Sequence, residues 1–144
     1  MHNLKDNSSK IIVDRNSQDV YSDPGSFTET KNKFGRNVIE ITNNKAHLTG
    51  AGFTKEGQFP FIDEFDFGTS TKKRIYTSKL KNSKENIVDI LDAKKGEILV
   101  VEQSASQYPN YFVRNIKTGK ANAVTNFANP FEGIKNVYKE VITY

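Results

Sequence analysis

Three groups of residues in this 144-residue chain have side chains suited to chemistry. The first is acidic. Asp63, Glu64 and Asp66 lie among phenylalanines in Phe61-Ile62-Asp63-Glu64-Phe65-Asp66-Phe67. Paired carboxylates do acid/base work when an apolar pocket keeps one of them protonated. In an extended strand, however, Asp63 and Glu64 point to opposite faces, and Asp66 stands where it can cap the turn at Gly68-Thr69-Ser70. The structural reading of this cluster is the stronger one. The second group is His2 and His47, the only two imidazoles. His2 lies in a polar terminus, and His47 alternates within an expected strand as an ordinary polar position. The third group is Arg36, Arg74 and Arg114. Each is able to meet an acidic group on a ligand, although surface ion pairs or turn contacts are the plainer expectation.

Composition excludes several chemistries. Cysteine is absent, so neither a disulfide framework nor a thiolate zinc site is available. A metal site built on two histidines would need carboxylates for most of its shell, and no metal or cofactor is expected. A serine nucleophile elbow needs Gly-x-Ser-x-Gly. Gly25-Ser26 and Gly68-Thr69-Ser70 both lack the flanking glycines. The glycine-bearing loop from Gly50 to Gly57 lacks Gly-Lys-Ser/Thr and no helix follows it, so it does not read as a phosphate cradle. No catalytic residue is assigned.

The net charge is +4. Its lysines are scattered singly, with Lys72-Lys73-Arg74 and Lys94-Lys95 the densest runs. Lysines so placed discourage strand-on-strand association at sheet edges. A nucleic-acid face would interleave basic and aromatic residues on one surface. Here the aromatics sit inside alternating apolar strands, so no nucleic-acid partner is expected. No apolar run approaches the roughly 18 residues of a membrane span. Residues 1–10 lack the apolar core of a signal peptide. The chain is either cytoplasmic or preceded by a signal further upstream, and a periplasmic or secreted parent fits the second case.

The elements that must position these groups read as strands. Hydrophobic residues make up 35% of the chain, and adding its nine glycines still falls short of the roughly 45–50% of an average domain. A thin core suits a sheet protein with wide faces. Ile11-Ile12-Val13 opens the patterned part. Asp23-Pro24-Gly25 is a strong turn signal, because Pro presets φ and Gly accepts a positive φ. Strands are expected at 38–42, 45–49, 58–67 and 72–77, the first two joined by a tight Asn43-Asn44 turn. A second set is expected at 87–91, 97–103, 111–116 and 121–127. Ile98-Leu99-Val100-Val101 has the unbroken apolar run of a buried strand. Short strands at roughly ten-residue spacing argue for an all-β chain.

One phrase occurs twice. Phe59-Pro60 and Tyr108-Pro109 each precede a β-rich run, then Asp66 or Asn115, an apolar residue, a small polar turn and another strand. The spacing of about 49 residues is close to that of four-stranded propeller blades. The expected fold is therefore all-β: about two four-stranded antiparallel blades of a partial β-propeller, with flanking strands. The expected organisation is a disordered N-terminus (1–9), a partial preceding blade (10–37), one blade (38–78), a second (86–127) and a linker strand (128–144). The final strand ends with the chain, as it would in a fragment.

Four segments resemble the prolyl oligopeptidase family of serine peptidases, in its glutamyl-endopeptidase-like branch. They are Asp19-Val20-Tyr21-Ser22-Asp23-Pro24-Gly25-Ser26; Gly50 through Phe67 with Lys73-Arg74-Ile75-Tyr76; Asn110-Tyr111 with Thr125-Asn126-Phe127; and Lys139-Glu140-Val141-Ile142-Thr143-Tyr144. In that family a β-propeller caps an α/β-hydrolase domain. The resemblance implies a non-catalytic piece of the cap, partnered in its parent by the hydrolase domain and by peptide substrates that it gates by size. It also makes an acidic substrate side chain a natural partner for Arg36, Arg74 or Arg114. Exposed blade faces would allow self-association. The alternative is a free-standing β-rich module that binds peptide or glycan.

Overall fold

The computed structural model describes residues 1–130. The chain divides into two compact units, the first ending at Ser78 and the second beginning at Lys79. Both are built from antiparallel strands, and no α-helix occurs among the described residues.

The first unit contains β1 (Ser26–Phe27), β2 (Glu29–Lys31), β3 (Asn37–Ile39), β4 (Lys45–Gly50), β5 (Phe53–Thr54), β6 (Gly57–Gln58), β7 (Phe61–Asp66) and β8 (Thr71–Thr77). Four of them form one sheet in the order β1-β4-β7-β8, while β2–β3 and β5–β6 are separate two-stranded ladders. The apolar core of this unit is Ala46, Leu48, Phe61, Ile62 and Phe65.

The outer strand of this sheet corrects the sequence reading. It is Ser26–Phe27 that pairs with β4, whereas Val38 and Ile39 pair with β2 and stay about 40% exposed. The cause lies in packing. The Phe27 ring sits 5.8 Å from both Phe65 and Phe67, an aromatic cluster that Val38 and Ile39 cannot match in buried area. The Asp23-Pro24-Gly25 turn delivers Phe27 to that position. Gly25 has φ +81°, and a Cβ there would lie 2.4 Å from the Thr49 carbonyl oxygen, so the turn needs glycine twice over. The boundary expected between 37 and 38 therefore falls inside one sheet.

Other local signals appear where they were expected. Asn43 and Asn44 both adopt positive φ, 52° and 66°, as a tight primed turn requires. That turn is closed only by a Thr42–Lys45 bridge. Residues 1–9, expected to be disordered, instead fold back on themselves through a His2–Ser9 bridge. The Asn3 amide donates to Ser8 O and the Lys10 amide to Met1 O, each at 2.8 Å.

The second unit is a meander of β9 (Lys84–Asp92), β10 (Glu97–Gln103), β11 (Asn110–Asn115) and β12 (Ala121–Ala123), ordered β12-β11-β10-β9. Ile98 and Val100 are its fully buried apolar side chains. β9 is longer than the expected 87–91 and is bulged twice against β10. β12 is shorter than 121–127: past Ala123 the Val124 amide still donates to Tyr111 O at 2.8 Å, and side-chain hydrogen bonds then take over, as shown below. From residue 131 on, the expected linker strand lies outside the described residues.

The two sheets repeat each other in detail. Leu48 opposes Asp63 across β4 and β7, and Val100 opposes Phe112 across β10 and β11. Ala46 and Leu48 in one sheet, like Ile98 and Val100 in the other, are the buried pair of the inner strand. The turns that follow β7 and β11 are also capped alike. Asp66 Oδ1 accepts from the amides of Gly68 and Thr69 at 2.8 and 3.1 Å. Asn115 Oδ1 accepts from those of Lys117 and Thr118, both at 3.0 Å. The Asp/Asn position of the repeated phrase is thus a turn cap in both copies.

Candidate functional site

Antiparallel pairing of β7 with β8 places Arg74 opposite Asp63 and Lys72 opposite Phe65, all on one face of the first sheet. The Asp63 side chain is 1% exposed, against 43% for Lys72 and 46% for Arg74. A buried carboxylate persists only if it is paired and hydrogen-bonded. Asp63 is met side-on by the guanidinium: Nε on Oδ1, and Nη2 on Oδ2 at 3.3 Å. Lys72 Nζ adds a second cation 3.4 Å from Oδ2. The guanidinium carbon also stands 3.7 Å from the centre of the Phe61 ring, within cation–π range. That ring in turn covers Gly50, where a Cβ would come within 2.3 Å of it. One strand pairing thus assembles a glycine, an aromatic ring, a guanidinium and a carboxylate in sequence.

The rest of the acidic cluster separates as strand geometry dictates. Glu64 points to the other face and takes Lys45 Nζ at 2.6 Å. This hydrogen bond and the charge of Glu64 hold the Lys45 ammonium above its ordinary pKa. Asp66 is occupied as a turn cap. The three carboxylates therefore do not form an acid/base pair.

Arg114 lies in the second unit and is 13% exposed. Its Nε is 2.8 Å from Glu85 Oε2, whose side chain is fully covered. Its Nη2 meets Glu102 Oε1, and Nη1 donates to Gly119 O at 3.3 Å. Every edge of this guanidinium is committed to the fold. Arg36 is the opposite case. It ends an exposed turn in which its amide donates to Asn32 Oδ1 at 3.1 Å, and its side chain joins no carboxylate among the described residues. Of the three arginines read as ligand-facing, only Arg74 is both held in place and accessible.

The histidines stay apart from these groups. His2 Nδ1 is 2.9 Å from Ser9 Oγ, and His47 sits in β4 opposite Glu64. No group of three or more His, Asp or Glu is arranged to hold a metal ion among the described residues.

Asn110 has a role the sequence reading did not assign. It is buried at 7% exposure. Its amide nitrogen donates to Tyr108 O and Phe127 O at 3.1 and 3.2 Å. Its oxygen accepts from Thr125 Oγ1 and the Phe127 amide at 2.9 and 2.6 Å. Thr125 Oγ1 also accepts the Tyr111 amide at 2.9 Å. This staple carries the chain past the end of β12 and uses all four hydrogen-bonding positions of the Asn110 amide. An open cleft of about 520 Å³ beside it is lined by Tyr108, Phe112, Ala123 and Phe127, but Asn110 has nothing left to offer a ligand there. The signal was present in the sequence as Asn110-Tyr111 with Thr125-Asn126-Phe127, one of the phrases behind the family resemblance.

Fold and site together describe an all-β chain with two four-stranded antiparallel sheets and charge clusters on their faces. The sequence aligns along nearly its whole length with two plant proteins, each named "Probable glutamyl endopeptidase, chloroplastic". The Oryza sativa subsp. japonica protein is 34% identical over 153 aligned positions, which cover 97% of this chain and 16% of the relative. The Arabidopsis thaliana protein is 33% identical over 153 positions, 96% of this chain and 16% of the relative. The chain thus spans about a sixth of the length of these relatives, and the similarity ties it to proteins named as peptidases. No family model matches the sequence, and no solved structure does.

Proposed function

We propose that this chain is a β-propeller segment of a glutamyl-endopeptidase-like serine peptidase of the prolyl oligopeptidase family. In the parent it covers the active site and gates peptide entry, with the α/β-hydrolase domain as its partner. The observation that carries this reading is the extent of the match. Nearly all of the chain corresponds to about a sixth of each plant relative, and the described part of this chain contains two four-stranded antiparallel sheets. A repeat of this length suits successive blades of a propeller. Stiff antiparallel sheets joined by rim loops make a wall that passes slender chains and excludes folded ones.

Among the described residues, Ser9 Oγ is 2.9 Å from His2 Nδ1 in the exposed terminal hairpin, but the glycines of a nucleophile elbow are missing around it. Ser70, the serine nearest the Lys72–Arg74 group in sequence, accepts Lys10 Nζ at 2.7 Å, and a triad would need an imidazole in that place. The test has two arms. The purified chain, given a fluorogenic peptide with Glu before the labile bond, is expected to show no turnover. A chimera of the rice relative that carries this chain in place of its aligned segment is expected to keep turnover of the short peptide. Turnover by the chain alone that a serine-directed phosphonate blocks overturns the reading, as does an inactive chimera that is shown to fold.

A further inference from the structure

We propose that the cleft beside Asn110 in the second unit is a binding site for a neutral saccharide. The sheet itself opens it. Register sets Phe112 between the buried Val100 on one side and Ala123 on the other, and an alanine is too small to close the space at that end of the row. Tyr108 and Phe127 complete the aromatic lining. The volume of about 520 Å³ lies within the roughly 300–1,000 Å³ of small-molecule sites.

The chemistry of the lining selects the ligand class. Among the described residues no charged side chain borders the cleft, in a chain of which 26% is charged. A phosphate, carboxylate or ammonium would enter without a counter-charge, which costs far more than covering a hydroxyl. What the cleft offers is three aromatic residues and the side-chain amides of Gln107 and Asn126. The C–H face of a pyranose ring matches the negative face of an aromatic ring. Sugar hydroxyls both donate and accept, and so does a side-chain amide. Neither of these two amides is spent on a hydrogen bond within the fold among the described residues.

A peptide fits the cleft less well. Extended peptides are held largely through main-chain hydrogen bonds, and the main chain here is already used. The Asn110 side chain takes Tyr108 O, Phe127 O and the Phe127 amide. Thr125 Oγ1 takes the Tyr111 amide, and Ser104 and Gln107 bond each other. The same bonds preorganise the site, with Asn110 as its positioning residue. One buried side chain fixes the backbone at both Tyr108 and Phe127, yet these two stay 38% and 52% exposed. Aromatic surface that is held in place and open to solvent meets a ligand at little ordering cost. The site goes beyond the peptidase reading and stands without it, since it is tested on the chain alone with no turnover measured.

The experiment is an NMR titration of the full chain, following the Gln107 and Asn126 side-chain amides and the Tyr108 and Phe127 ring protons. The probes are maltotriose, cellotriose and diacetylchitobiose, with trigalacturonate as a charged counterpart and acetyl-Ala-Ala-Ala-amide as a neutral peptide. At least one neutral sugar is expected to shift these signals saturably, with a Kd on the order of 1 mM that does not change with salt. Trigalacturonate and the peptide should give no saturable shift. Tyr108→Ala and Phe127→Ala should each weaken binding about five- to tenfold. Gln107→Ala, at an exposed loop position, should weaken it about two- to fivefold. Tyr111 supplies the control. It is as exposed as Tyr108, at 38%, but it adjoins Phe112 in β11 and so points to the opposite face. Tyr111→Ala should bind like the parent chain. The proposal is overturned if no neutral sugar gives a saturable shift, if trigalacturonate or the peptide binds as tightly as the best sugar, or if Tyr111→Ala weakens binding as much as Tyr108→Ala.

Discussion

Arg74 and Arg114 show how one residue type takes two roles. Arg74 lends one edge to a buried carboxylate and stays 46% exposed, whereas Arg114 is 13% exposed and spreads its nitrogens over Glu85, Glu102 and a carbonyl. The consequence is a difference in tolerance to lysine. A lysine at 114 is a single point donor and cannot serve both carboxylates, so Glu85, fully covered, loses its guanidinium. Arg114→Lys is expected to destabilise the protein by about 2–4 kcal/mol, close to the cost of breaking a buried pair. Arg74→Lys should cost about 1 kcal/mol or less, because the new ammonium and Lys72 still pair the buried Asp63 and solvent screens the half-exposed cation side. Urea denaturation followed by far-ultraviolet circular dichroism measures both, and equal losses would contradict the contrast drawn between the two sites.

At the scale of elements, capped turns set the registers. Asp66 and Asn115 close the hairpins after β7 and β11, and Asp92 does the same between β9 and β10, where its Oδ1 accepts the Lys95 amide at 2.9 Å. That backbone hydrogen bond, helped by the Lys95 side chain, holds the Asp92 carboxyl below its ordinary value of 3.8. A lowered folded-state pKa means that the stabilising effect is fully present above 3.8 and is lost as pH falls through the folded value. A carboxyl-carbon NMR titration should place the Asp92 midpoint below that of an unstructured aspartate, and a midpoint at or above it would remove the cap. The turns and the inner strands were legible in the sequence because their causes are local. Asn43-Asn44 takes positive φ at both positions, and β10 spans the expected 97–103. The outer strand was not legible, since Val38-Ile39 has as good a β pattern as Ser26-Phe27. Contact with Phe65 and Phe67, some 40 residues away in the chain, decided between them.

For the whole molecule, two of the phrases that carry the family resemblance, Asp19 to Ser26 and Asn110-Tyr111 with Thr125-Asn126-Phe127, prove to be fastenings of the fold. Asp19 accepts the Tyr21 amide and Asp23 the Gly25 amide, both at 3.0 Å, and Asn110 with Thr125 staples the chain beyond β12. Likeness in such positions speaks for shared architecture. A shared reaction would need likeness in reacting groups, which is why the peptidase reading is a proposal that rests on the extent of the alignment. Apolar side chains stand exposed on both units, among them Phe34, Ile41 and Phe53 in the first and Val88, Leu91 and Val124 in the second. In a propeller segment such surfaces belong against neighbouring parts of the parent. Sedimentation velocity of the purified chain is therefore expected to show self-association that grows with concentration. A monomer at every concentration would favour the free-standing binding module instead.

By itself the sequence determined the all-β class, the two-fold repetition, the turn caps and the absence of a nucleophile elbow. Each of these follows from neighbouring residues or from a count. Only the tertiary structure decided which strand lies outermost in the first sheet, that Asn110 is a staple, and which arginine remains available. An arginine's role depends on what pairing across the sheet sets beside it. The register placed a buried Asp63 and a phenyl ring against Arg74, and it surrounded Arg114 with two glutamates. Local sequence around the two arginines carries no trace of that difference, because their partners lie 11 to 29 positions away.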